Sequence, residues 1–187
     1  MIENEVDLVR RCLNQDESGM RGFIDQFQGM IFGLCFRMLG HREDAEDVTQ
    51  EVFLRVFRNL HRWDQKRPLK PWLMTITSNR CRTALEKRNR RPSQTEFISD
   101  ITSEEVRGNP VELAEELQLA IDKLREEYRL CFTLFYQQEF SCVEIAEILD
   151  CPEGTVKTWL HRARNELANH LRRRGINPKV EHELHRI

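Results

Sequence analysis

Apolar positions recur at helical spacing along most of the chain. In residues 20 to 39, "MRGFIDQFQGMIFGLCFRML", the side chains of Phe23, Phe27, Ile31, Leu34 and Met38 share one stripe, the three-to-four-residue period of an amphipathic helix. Gly40 follows as a C-cap signal. A shorter periodic run covers residues 5 to 17. A third helix is predicted over about 43 to 60, with Ala45, Val48, Val52 and Val56 as its buried stripe. Two prolines in "RWDQKRPLKP" break the pattern, and Pro71 suits the first turn of a fourth helix reaching about Arg90. Leu73, Met74, Thr77, Cys81 and Ala84 make its inward face. Residues 92 to 110 are polar, acidic and bounded by prolines, as a linker would be. Helical periodicity resumes at Val111, is interrupted near Leu124 and Phe140, and runs to about Arg174; the rest reads as a frayed tail. With few glycines and prolines and no alternating β-branched runs, the expected fold is all-α: two small helical domains, 1 to 92 and 111 to 175, joined by a linker.

The stretch "SCVEIAEILDCPEGTVKTWLHRARNEL", residues 141 to 167, predicts two short helices crossing at the turn "DCPEG". Ile145, Ala146 and Leu149 face Val156, Leu160, Ala163 and Leu167, and Trp159 reads as a packing residue beside that stripe. The opposite face carries Thr158, His161, Arg162 and Asn165, flanked by Thr155 and Lys157. Donors and cations near a helix N-terminus are what a helix in a DNA major groove needs. A solvated amphipathic hairpin has the same stripe, so this stretch alone also admits a simple helix-turn-helix regulator.

The formal net charge of −2 conceals a strong asymmetry. Residues 43 to 51 hold five acids and no base, whereas 62 to 91 hold ten Lys/Arg against two acids. The third helix therefore turns Asp44, Asp47, Gln50, Glu51, Leu54 and Arg58 outward, an acidic face with an apolar residue that fits a basic protein partner. The fourth turns Trp72, Thr75, Asn79, Arg82 and Thr83 outward, with Arg80 beside them. An aromatic, an amide and guanidinium groups on a basic helix suit unstacked bases and a phosphate backbone. The six scattered cysteines, with no C-x-x-C pair, suggest reduced core thiols rather than a zinc site or disulfide framework, and no metal or cofactor is expected. The N-terminus lacks signal-peptide order and no stretch is apolar enough to span a bilayer, so no membrane insertion and a cytoplasmic location are expected. No phosphate-cradling glycine loop, nucleophile elbow or acid/base pair supports an enzyme.

Taken in order, "MLGHREDAEDVTQEVFLRVFRNL", "PWLMTITSNRCRTALEKRNRR" and "SCVEIAEILDCPEGTVKTWLHRAR" resemble a bacterial RNA polymerase sigma factor of the extracytoplasmic function type, built from the second and fourth sigma regions. The resemblance implies that Asp44, Asp47, Gln50, Glu51 and Phe53 meet the β′ clamp helices of core RNA polymerase. It places Trp72, Thr75, Asn79, Arg80 and Arg82, with the loop before them, at the −10 element, where promoter DNA melts. Thr155, Lys157, Thr158, His161, Arg162 and Arg164 fall where the family reads the −35 element. It also implies contact with the polymerase β flap and an anti-sigma partner.

Overall fold

The computed structural model describes residues 5–90 and 110–174. The predicted linker, up to residue 109, and the tail lie outside the described residues. Among the described residues all regular structure is helical, in the order α1 (Glu5–Leu13), α2 (Glu17–Leu39), α3 (Arg42–Asn59), a 3₁₀ turn (Leu60–Arg62), α4 (Leu69–Arg90), α5 (Pro110–Asp122), α6 (Glu126–Tyr136), α7 (Cys142–Leu149) and α8 (Glu153–Arg173).

Local chemistry sets these boundaries. The first helix stops at Leu13, short of the predicted residue 17, and α2 starts earlier than predicted. Gln15 takes a left-handed φ of 59°, and Asp16 then caps α2 by accepting from the Ser18 amide at 2.9 Å. Asp16 also accepts from the Ser18 hydroxyl at 2.7 Å and from Arg11 Nε at 2.7 Å. These bonds, the Ser18 hydroxyl first, lower its pKa from 3.8 to about 2. A depressed carboxylate stabilises the fold above its unfolded pKa, and that contribution disappears as pH falls from about 4 towards 2. An NMR titration is expected to place the Asp16 midpoint near 2 in the wild type, moving up towards the ordinary value in Ser18→Ala; a wild-type midpoint near 4 would contradict the cap.

At the other end of α2, Gly40 adopts φ 77° and its amide donates to Phe36 O, the left-handed C-cap that its sequence position predicted. Two further carbonyls of that end are capped by cations. Arg88 Nη1 of α4 donates to Leu39 O at 2.9 Å, and Arg129 Nη2 of α6 donates to Met38 O at 3.0 Å. A guanidinium there both fills an orphan acceptor and faces the negative end of the helix dipole.

The predicted α2 stripe of Phe23, Phe27, Ile31, Leu34 and Met38 is buried. Phe23 meets Phe27 at 4.8 Å and Phe57 at 5.6 Å between ring centroids, in the tilted arrangement that ring quadrupoles favour. The core around them does not end with α4. It continues through Leu130, Cys131 and Leu134 of α6, Ile145, Ile148 and Leu149 of α7, and Val156 and Leu160 of α8. A second, smaller cluster joins Ala120 and Ile121 of α5 to Leu124, Tyr128, Ala163 and Leu167, and Trp159 packs against both clusters, as a packing residue should. The N-terminal and C-terminal helices thus share one apolar core, with α2 against α6 and α4 against α7.

All six cysteines are free thiols. Cys35 and Cys81 are fully buried with their sulfurs 3.8 Å apart. The hydrogen bond that Cys81 donates to Cys35, together with burial, raises the pKa of Cys81. No described helix is long and apolar enough to cross a membrane.

Candidate protein and nucleic-acid interfaces

The buried stripe of α3 is Ala45, Val48, Val52 and Val56, as its period predicted. About one residue per turn is thereby committed inward, and Asp44, Asp47, Gln50 and Glu51 stand exposed on the other side. Leu54 is 57 % exposed beside them, the most exposed large apolar side chain among the described residues. Phe53 does not join this face. It is 7 % exposed, and its ring stacks on Phe57, 6.2 Å between centroids. Phe53 and Phe57 are four residues apart, so they lie on one flank of the helix and widen its buried stripe. The apolar member of the acidic face is therefore Leu54.

The approach to α4 is a basic loop held at both ends. Trp63 and Leu69 are buried, while His61, Arg62, Lys66, Arg67 and Lys70 between and around them are exposed. Asp64 shapes the turn, its carboxylate accepting from the Lys66 amide at 3.0 Å and its carbonyl from the Arg67 amide at 2.9 Å. On α4 itself, Asn79 is exposed, and Trp72 and Thr75 are half-buried. The Thr75 hydroxyl donates to Pro71 O at 3.0 Å, so its proton is engaged by the helix. The two arginines point to protein rather than outward. Arg80 pairs with Glu51 of α3, and Arg82 Nε lies 4.0 Å from Glu126 of α6. Both are partly buried, so the −10 set is not one continuous free surface in this state.

The hairpin of α7 and α8 carries two strong local signals. Ser141 and Glu144 form a reciprocal capping box at the start of α7. At its end Asp150 takes φ 51°, a left-handed conformation that short polar side chains tolerate, and Pro152 then caps α8. The turn leaves Val156, Leu160, Ala163 and Leu167 buried, and exposes Lys157, Thr158, His161, Arg162 and Asn165 on one side of α8. Thr155 and Arg164 are half-buried at the margin. Local partners hold this face in order: Lys157 pairs with Glu153 at 2.7 Å, Thr158 donates to Gly154 O at 2.8 Å, and Asn165 bonds His161 at 3.1 Å. Arg162 Nη1 donates to Tyr128 Oη of α6 at 3.1 Å. Hydrogen bonding to Glu153 raises the pKa of Lys157 and bonding to Tyr128 raises that of Arg162, so both remain cationic at neutral pH.

No group of three or more His, Cys, Asp or Glu side chains suited to a metal ion occurs among the described residues. Two cross-links escaped the sequence reading. Glu116 of α5 receives Arg174 at 3.1 Å and lies 3.6 Å from His170, tying α5 to the end of α8. Arg129 bridges Met38 O and, at 2.9 Å, Asp122 O. Their signal in the sequence is slight, since each depends on a partner far along the chain.

Comparison with known proteins finds two successive family matches along the chain. Residues 23–91 match Sigma-70 region 2 and residues 114–167 match Sigma-70 region 4. The chain is 32 % identical to the ECF RNA polymerase sigma factor SigW of Bacillus subtilis, over 92 % of its own length and 97 % of that protein. It is 30 % identical to the ECF RNA polymerase sigma-E factor of Escherichia coli, over 87 % and 91 %. Its fold is similar to that of the sigma factor RpoE in complex with the anti-sigma factor NepR from Bartonella quintana, with a TM-score of 0.68, 23 % identity and coverage of 81 % of this chain and 96 % of that one. It is also similar to CnrH in complex with the cytosolic domain of CnrY, with a TM-score of 0.65, 22 % identity and coverage of 88 % and 95 %.

Proposed function

The chain belongs to the extracytoplasmic function group of the sigma-70 family, a factor that binds core RNA polymerase and directs it to promoters, and on that footing we propose which of its surfaces does what. Residues 1 to 92 act as region 2 and 111 to 175 as region 4. The exposed side of α3, with Asp44, Asp47, Gln50 and Glu51 around Leu54, docks on the β′ clamp helices of the polymerase. The basic loop and α4 capture the melted −10 strand, with Trp72 and Asn79 meeting unstacked bases and the exposed loop cations meeting phosphates. Thr158, His161 and Arg162 enter the major groove of the −35 element, with Lys157 and Arg164 on its backbone.

The observation that carries this reading is the division of charge on one chain. An acidic face bearing an exposed leucine lies on α3, and basic, donor-rich faces lie on the α4 approach and on α8. An operator-binding regulator has no use for the first of these. The chain supplies no chemistry of its own, and works in the cytoplasm beside polymerase. An anti-sigma factor is a fitting regulator, because covering α3 and α8 together would block both polymerase and DNA. The test is co-elution of the full chain with purified core polymerase in equal stoichiometry; a chain that stays free at micromolar concentration would overturn the assignment.

A further inference from the structure

Helical geometry turns Arg80 away from the residues that would meet bases. Trp72 and Asn79, seven residues apart, share one stripe of α4. Arg80 is rotated about 100° from Asn79 and shares its flank with Thr77, which is fully buried, and Ala84, which packs against the core. That flank meets α3. Arg80 Nη2 donates to Glu51 Oε2, the two side chains being 17 % and 51 % exposed, and the buried Arg80 Nε finds no hydrogen-bond partner among the described residues.

On α3, Asp44, Asp47, Glu51 and Leu54 follow one another at helical intervals and form a single stripe. Glu51 stands between Asp47 and the exposed leucine, with one carboxylate oxygen held from behind by α4. Drawing Glu51 away would leave Nη2 unpaired as well as Nε, in a setting largely removed from water, which costs more than parting a fully exposed pair. The pair therefore stays closed when a partner arrives, and half-exposed Glu51 has its other oxygen to offer. A glutamate on an open helix surface must be ordered during binding. This one is ordered beforehand.

We propose that Arg80 is a positioning residue for core polymerase, holding Glu51 in the orientation that docks on a basic partner surface. The proposal rests on the sigma reading and deepens its α3 face. Arg80 has no promoter strand to read, and the base contacts of α4 fall to Trp72 and Asn79.

A double-mutant cycle tests this, by isothermal titration of the full chain with purified core polymerase at raised salt, where the charge lost at position 80 is screened. Arg80→Met keeps most of the apolar stem and should weaken capture roughly three- to tenfold, the cost of ordering a side chain that is no longer held. Glu51→Gln should cost roughly threefold less in the Arg80→Met chain than in the wild type, because the carboxylate it removes is no longer in place. Arg80→Lys, which retains the charge, should restore part of the affinity. Should Arg80→Met fail to fold, Arg80→Gln takes its place in the cycle with the same result required. Additive losses, or wild-type affinity in a folded Arg80 variant, overturn the positioning role. Binding of a labelled random-sequence single strand to preassembled holoenzyme should match the wild type; a loss there with polymerase affinity unchanged would make Arg80 a strand contact and likewise overturn it. A wild type that fails to bind polymerase would instead overturn the sigma reading, and the positioning role with it.

Discussion

Asp47→Lys combined with Glu51→Lys is expected to abolish capture of core RNA polymerase. Both side chains are exposed on α3, Asp47 two turns and Glu51 one turn before Leu54. A basic partner surface that accepted two carboxylates would then face two ammonium groups. Like charges brought together at an interface cost several kcal/mol, about a thousandfold in affinity. The loss should shrink as salt is raised, since screening weakens repulsion at a partly wet rim. The fold should survive, because Asp47 is exposed and the Arg80–Glu51 pair is the single described contact between α3 and α4 that the change removes. Isothermal titration with purified core polymerase, beside thermal melting of the free variant, separates the two effects. Binding at wild-type strength would remove α3 from the interface.

Arg162→Ala is the second change with a large expected effect, on DNA rather than on polymerase. A bidentate guanidinium contact to a base contributes about 1–3 kcal/mol of discrimination, so holoenzyme should lose roughly ten- to a hundredfold affinity for its −35 element. Polymerase capture should be unchanged. In the free chain Arg162 is held by the Tyr128 hydroxyl, which must release it before it can reach a groove. Tyr128→Phe keeps the buried ring and removes that partner, so DNA affinity should be retained or slightly raised. Lys157→Ala should instead weaken all duplexes alike and flatten the salt dependence, the behaviour of a phosphate contact. Equal losses on specific and scrambled duplex for Arg162→Ala would show that it reads no base.

Where helical period and burial coincide, the sequence was a reliable guide. The α2, α3 and α8 stripes and the turn between α7 and α8 all stand where the spacing predicted. Phe53 shows the limit of a narrow stripe. The four small residues of α3 suggest a slim inward face, but α2 presents aromatic rings to it, and Phe53 with Phe57 completes that contact. The shared core was harder to foresee. Its trace is α6, where Tyr128, Leu130, Cys131, Thr133 and Leu134 are buried in close succession. A helix that hides residues on every side must lie between two layers. The composition of "YRLCFTLFY" contains that signal, yet nothing local in it names α2 and α4 as the second layer. The partners of Arg80 and Arg82 were hidden for a similar reason: a cation on a basic helix suggests a phosphate, and in this structure each lies beside a carboxylate on another helix.

The central claim is that one chain brings polymerase to promoters through two separate DNA-reading faces. Run-off transcription with core polymerase and this chain on a library of randomised upstream sequences tests it most directly, by sequencing the 5′ ends of the transcripts. The account predicts starts that depend on the chain, preceded by two enriched blocks near −10 and −35, with Arg162→Ala erasing the distal block and leaving the proximal one. Starts that do not change when the chain is added, or enrichment of a single palindrome, would contradict it.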